Sequence, residues 1–219
     1  MKTHPQPVGE PILMYVADPM CSWCWGFAES VAAVRETYPR ATFRLVLGGL
    51  RPGPQAQPLE GELRDYLRQA WTRVHERSGQ PFDWSVLDWP SFLYDTDPPS
   101  RAVVAMREVA AEQELDYFFA IQRAFYGEGR DITQKSVQAD IAVSMGISAA
   151  AFHEALEDER LGKRTREDYE FSRSLGVGGF PTLLASVDGT FRLLASGFRP
   201  PDQTLATCAE FFGGRGREV

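Results

Sequence analysis

The chain's first strong apolar signal is "ILMYVA", residues 12–17, an almost unbroken run of the length of one strand buried on both faces. A turn-like "DPM" follows, and then "WGFAESVAAVRETY" reads as a helix running to about Tyr38, where Pro39 stops it. The next run, "TFRLVLGGL", sets Phe43, Leu45 and Leu47 on one face at the strand period of two. A strand, a helix and another strand in this order predict a βαβ unit with its strands parallel.

From Pro58 to about Gly176 the spacing turns helical and no convincing strand is predicted. Leu63, Tyr66, Leu67, Ala70 and Val74 share one helical face. Ala102, Met106 and Val109 share a second, beyond the breaker "DTDPPS", and Leu115, Phe118, Ile121 and Phe125 a third. Thr133 and Ser148 are N-cap candidates for "QKSVQADIAVSMG" and "AAAFHEALEDE". A last helix through "TREDYEFSRSLG" is expected to stop at Gly176.

Strand character returns in "PTLLASVDGTFRLLAS", two β-like runs joined by Asp188-Gly189, a hairpin signal because both positions must tolerate positive φ. "PPDQTLATCAEFF" closes the chain as a helix that accepts proline in its first turn. The order β-α-β, helical block, β-β-α is the thioredoxin topology, an α/β fold with a large all-helical insertion. Residues 12–57 and 177–212 are expected to form one discontinuous domain and 58–176 the insertion, with 1–11 and 213–219 as tails.

Composition narrows the function classes. The 219 residues are 43% hydrophobic and 24% charged, as in an ordinary soluble domain long enough to form a core without disulfides. A net charge of −7 leaves no basic excess to displace counterions, which argues against nucleic-acid and anionic-membrane partners. "MKTHPQPVGEP" lacks the apolar core of a signal peptide, and no apolar run approaches a membrane span, so a cytoplasmic location is expected.

In that compartment a close cysteine pair points to chemistry or metal more than to a structural disulfide. Cys21 and Cys24 are separated by Ser22 and Trp23, where the first strand hands over to the helix. A redox dithiol, half of a zinc site and two inert core residues all fit that spacing. Zinc needs further ligands, and the sequence offers only Cys208 and the scattered His4, His75 and His153, so no metal is expected. Cys208 lies in an apolar stretch and reads as a core residue, and the histidines read as surface residues. At a helix N-terminus, unpaired N–H groups and the helix dipole would favour the thiolate of Cys21. Cys24, nearly one turn later, would be more buried and less reactive.

The second signal is "GVGGFPTLL", in which Pro181 opens a strand. Together, "YVADPMCSWCWGF", "LVLGGLRPG" and "LGVGGFPTLL" resemble the DsbA-like thioredoxin-fold family, nearest its cytoplasmic predicted protein-disulfide isomerase (FrnE-like) branch. The resemblance covers Ile12 to Phe212. It implies a thiol-disulfide oxidoreductase or isomerase with Cys21 as nucleophile, Cys24 as resolving thiol and Pro181 as a cis-proline facing Cys21. Ser22, Trp23, Phe180 and Thr182 would contact substrate. Protein or small thiol and disulfide substrates follow, with no cofactor beyond the redox-active disulfide and with glutathione or the thioredoxin system as electron donor. The insertion would form a wall of the substrate groove.

Two departures qualify the pattern. Tyr15 stands where many thioredoxin-fold enzymes carry a buried acid, six residues before the first cysteine, which leaves Asp18, water or another group to exchange a proton with Cys24. Neither Ser22 nor Trp23 carries a positive charge, so a dithiol less oxidising than the strong periplasmic enzymes is expected. Related readings are a glutathione-using kappa-type transferase or isomerase, in which serine replaces the first cysteine, and a non-catalytic adaptor whose cysteines sense oxidation.

Overall fold

A computed structural model describes residues 12–187 and 190–213. The first unit is β1 (Ile12–Ala17), α1 (Ser22–Thr37) and β2 (Thr42–Leu47). The block that follows contains β3 (Gln57–Pro58), α2 (Gly61–Ser78), β4 (Leu93–Tyr94), α3 (Asp97–Val109), α4 (Glu114–Gln122), α5 (Lys135–Ser144), α6 (Ala149–Glu157) and α7 (Leu161–Ser174). The chain closes with β5 (Thr182–Val187), β6 (Thr190–Ser196) and α8 (Pro201–Gly213).

The sheet order is β2-β1-β5-β6, with β1 parallel to β2 and antiparallel to β5. This mixed sheet, flanked by helices and interrupted by a large helical insertion, is a thioredoxin fold. Its central strand has neighbours on both edges and side chains packed on both faces, which is why "ILMYVA" lacks the usual alternation. Leu13, Tyr15 and Ala17 enter the main core with α1, while Met14 and Val16 join Val46 and Leu184 beneath Phe171 of α7 and Leu175 just after it. β5 and β6 pair antiparallel from Val187 opposite Thr190, and the Asp188-Gly189 turn lies outside the described residues.

The insertion is anchored to α1 by close approach and by aromatic packing. A Cβ on Gly26 would lie 2.8 Å from Val74 Cγ1, so glycine lets α1 and α2 meet backbone to side chain. Trp25 of α1 stacks on Tyr126, which packs in turn against Trp71, Phe82 and Phe125. Here the helical reading needs correction at one position. Tyr66 is 53% exposed, and the fully buried Trp71 occupies the core instead. The two-residue strands β3 and β4 also pair as a small ribbon, too short for periodicity to reveal. Thr133 does not cap α5: Gln134 holds that position, and Thr133 donates to Asp131 in the preceding turn. Ser148 does cap α6, its hydroxyl accepting from Ala151 N. α7 starts at Leu161, ahead of the predicted "TREDYEFSRSLG".

The outer edge of β2 is sealed by side chains. Asp168 of α7 accepts the Leu47 N–H at 3.1 Å and receives two hydrogen bonds from Arg107, at 2.6 and 3.1 Å. Arg107 also donates to Glu114 at 2.7 Å and reaches Leu45 O at 3.5 Å. An edge strand is a template for unwanted pairing, and this network occupies it while tying α3, α4 and α7 to the sheet. Burial works against the Arg107 charge, but Asp168 and Glu114 outweigh it and hold the guanidinium protonated. Asp168→Asn would remove the bidentate partner of a partly buried cation, and chemical denaturation should show a loss of about 2–4 kcal/mol. An unchanged midpoint would mean that the edge is held by packing alone.

Candidate active site

Cys21 occupies the N-cap position of α1 in extended conformation, φ −92° and ψ 110°, so its sulfur lies at the end of the helix where unpaired N–H groups gather. Its own N–H donates to Asp18 O at 3.1 Å, and its carbonyl accepts from Cys24 N and Trp25 N. Both cysteines are free thiols. Cys21 retains 6% exposure and Cys24 none, so only Cys21 offers an opening to a partner.

The second motif closes over the first. The Phe180–Pro181 peptide bond is cis, and Cys21 Sγ lies 3.7 Å from Phe180 O, within reach of a weak S–H donation. The Phe180 ring lies against Gly48, where any Cβ would collide with it, so the glycine after β2 makes room for this loop. The buried Thr182 turns its hydroxyl back to Gly179 O at 2.8 Å, and Pro181 O accepts Gly197 N at 2.8 Å. Those bonds brace the loop. Ser22 is buried, whereas Trp23 is half-buried and packs on Phe198 at 5.9 Å. Arg77 of α2 lies over both rings, at 5.8 and 5.4 Å, and supplies a cation that neither Ser22 nor Trp23 could.

Behind the pair lies a buried polar layer. Tyr15 donates to Cys24 O at 3.3 Å, and burial, followed by the charges of both cysteines, raises its pKa so that the phenol stays neutral. Asp18 is fully buried and accepts Met20 N at 2.9 Å and Leu50 N at 2.7 Å. Burial pushes its carboxyl up to about 6, against the pull of those N–H groups, Thr96 and Arg51. The Cys24 thiol is pushed up chiefly by burial, then by its contact with Cys21; a hydrogen bond from the Asp18 backbone lowers it and the Asp18 charge raises it. Asp18 therefore adjoins the very thiol that lacks a proton acceptor at position 15. Cys208 is far less available, with no exposure and its thiol raised by burial to about 11. Among the described residues, no group of three or more His, Cys, Asp or Glu could hold a metal ion.

The helical block adds groups that no sequence motif announces. Tyr94 donates to Met20 O at 2.6 Å and meets the Tyr126 hydroxyl at 3.4 Å, and Gln122 donates to Asp18 O at 3.4 Å. Only the folding of the block onto α1 brings these residues to the loop before Cys21.

Comparison with known proteins agrees with this geometry. A family model described as a DSBA-like thioredoxin domain matches residues 12–207. A solved structure from Nitrosomonas europaea, provisionally named a protein disulfide isomerase, is 33% identical, with a TM-score of 0.86 over 94% of this chain and 100% of that one. The cytosolic disulfide reductase DsbM of Pseudomonas aeruginosa is 29% identical, with a TM-score of 0.78 over 95% of this chain and 100% of its own. The same reductase solved with GSH is similar at 28% identity, with a TM-score of 0.76 over 94% and 99% of the two chains. A 2-hydroxychromene-2-carboxylate isomerase, 17% identical with a TM-score of 0.64 over 94% and 97% of the two chains, shares the fold. No curated protein sequence matches the chain.

The difference in burial between the thiols leads to a labelling order. Brief alkylation of the reduced protein near neutral pH, read by peptide mapping, should modify Cys21 roughly tenfold or more faster than Cys24 and Cys208. Preferential labelling of Cys24 would reverse the roles suggested by exposure.

Proposed function

Because the chain belongs to the DSBA-like thioredoxin domain family, whose fold and Cys-x-x-Cys pair match thiol-disulfide oxidoreductases, we propose that it exchanges disulfides through Cys21 and Cys24. The observation that carries this reading is a thiol at the N-cap of α1, 3.7 Å from the Phe180 carbonyl, with a second thiol buried behind it.

The Cys21 thiolate attacks one sulfur of a substrate disulfide. A Cys21–substrate bond forms, the substrate S–S bond breaks, and its electron pair leaves on the departing thiolate. Cys24 then gives its proton to Asp18 and attacks Cys21, releasing the second substrate thiolate and closing the Cys21–Cys24 disulfide. Two electrons have passed from the dithiol to the substrate. A thiol donor restores the pair by the reverse exchange. Glutathione fits that role, in line with the cytosolic reductase relative solved with GSH, and the thioredoxin system is the other candidate. Reduction or isomerisation in the cytoplasm is the favoured direction, and the motifs quoted above favour the FrnE-like branch. Phe180 would offer backbone groups to an extended substrate, with Ser22 at the floor of the groove and Trp23, Phe198 and Arg77 along its rim.

Cys24→Ser should leave the mixed disulfide unresolved, so incubation with oxidised glutathione should build up a single adduct on Cys21, read by mass spectrometry. Equal adduct formation in a protein lacking both Cys21 and Cys24 would remove the proposal.

Asp18 supplies a pH signature. Its carboxyl titrates at about 6 when folded and near 3.8 when unfolded, so between these values the folded protein holds a proton that the unfolded chain has lost. Stability conferred by that proton is complete below the unfolded value and is lost as pH rises through the folded one. Relative to Asp18→Asn, the wild type should lose about 3 kcal/mol of stability on going from acid to neutral pH. Resolution of the mixed disulfide should slow in the wild type as pH falls below about 6 and Asp18 can no longer accept. In Asp18→Asn it should be roughly a hundredfold slower near neutral pH. Parallel stability curves and equal resolution rates would exclude Asp18 as the acceptor.

A further inference from the structure

The exchange steps above give Arg77 no task beyond lining the rim, yet the fold sets its charge at the mouth of the dithiol. Gly26 lets α2 press close on α1, since a Cβ there would lie 2.8 Å from Val74 Cγ1 and 3.3 Å from Ser78 Oγ. Arg77, in the last turn of α2 between those two residues, is thereby brought to the start of α1. Its guanidinium carbon lies 5.8 Å from the centre of the Trp23 ring and 5.4 Å from that of Phe198. These rings belong to the two active-site motifs. Trp23 stands between Cys21 and Cys24, and Phe198 follows Gly197, whose N–H donates to Pro181 O at 2.8 Å. One cation spans both walls of the opening.

Arg77 is exposed, and among the described residues no carboxylate lies within ion-pair reach of it. On the same helix, by contrast, Arg68 pairs with Asp88 and Arg64 donates to Leu59 O. Ring faces attract a cation but satisfy few of the five N–H donors of a guanidinium. A planar carboxylate can take two of those donors at once, in parallel. The net charge of −7 makes the general field of the chain unfavourable to any anion that approaches. A substrate with a negative group must regain that cost locally, and Arg77 holds a cation with spare donors where the regain is needed.

We propose that Arg77 selects disulfides that carry a carboxylate near the reacting S–S bond, binding that carboxylate while Cys21 attacks. The proposal rests on the thiol-disulfide reading and gives it a substrate class. Two sources supply this chemistry: the carboxylates of glutathione and an acidic residue beside a protein cysteine. Arg77 acts on binding alone, and the bonds and electrons exchanged are those already described.

The test compares reduced wild type with Arg77→Gln, which removes the charge at an exposed position. Each is mixed with oxidised glutathione, with neutral bis(2-hydroxyethyl) disulfide, and with peptide disulfides bearing Glu or Gln beside the cysteine. Oxidation of the Cys21–Cys24 pair is followed by acid quench and mass spectrometry. The glutathione rate relative to the neutral disulfide should fall about tenfold in Arg77→Gln, the lower end for loss of a hydrogen bond to a charged group. Arg77→Lys, which keeps the charge without the fork, should fall between the two. Added salt should shrink the ratio in the wild type far more than in Arg77→Gln. A Glu-over-Gln peptide preference that is lost in Arg77→Gln would extend the class to proteins, whereas its absence from the wild type would assign the carboxylate to glutathione. Ratios unchanged by Arg77→Gln would overturn the proposal, whether the rates themselves hold or all slow together, since Arg77 would then only pack the two rings. A wild type that reacts with none of these disulfides would instead overturn the redox reading beneath it.

Discussion

A carboxylate wholly removed from water must find its hydrogen bonds within the protein, and Asp18 finds them in two loops at once. One oxygen accepts Met20 N, in the turn leading into α1, and the other accepts Leu50 N, just beyond β2. An unpaired buried charge would cost several kcal/mol, so the two loops are held to this residue as firmly as it is held to them. Its backbone extends the same junction, because Asp18 O receives both Cys21 N and the Gln122 amide. The exit of β1, the start of α1, the exit of β2 and the insertion therefore converge on one residue, three positions before the first cysteine.

That convergence explains how a long interruption of the fold remains compatible with an ordered site. The aromatic cluster around Trp71 fastens the insertion to α1, and the network of Arg107, Asp168 and Glu114 fastens it to the edge of β2. Between those attachments Tyr94 is held against Met20 O. The insertion thus closes one side of the dithiol, while the Phe180 loop closes another and Trp23, Phe198 and Arg77 form the rim. The opening left at Cys21 is small, and Cys24 behind it has none.

Features with a local cause were legible in the sequence. "ILMYVA" is apolar because β1 is enclosed from Leu13 onward, and the cysteine pair announces itself by spacing at a strand-to-helix junction. Features that depend on tertiary placement were not. Helical spacing puts Tyr66 and Trp71 on opposite margins of one apolar stripe, and the packing of Phe82 and Tyr126 on Trp71 draws that margin inside while Tyr66 faces out. Asp18 could be named from the sequence as one possible acceptor, but its burial follows from Leu50, Met20 and Thr96 folding around it. Arg77 belongs to a helix distant in the chain, and nothing in "RVHERSG" indicates that its guanidinium will lie over Trp23.

The central claim is that Cys21 and Cys24 act as one dithiol. It is tested most directly by equilibrating the protein across a gradient of reduced to oxidised glutathione, trapping with acid and reading the state of each cysteine by mass spectrometry. A single two-electron transition is predicted, in which Cys21 and Cys24 lose their two hydrogens together while Cys208 stays a free thiol, at a midpoint between reducing thioredoxins and strong periplasmic oxidants. Two thiols that persist at every ratio, or glutathione adducts that never resolve to an internal disulfide, would contradict it.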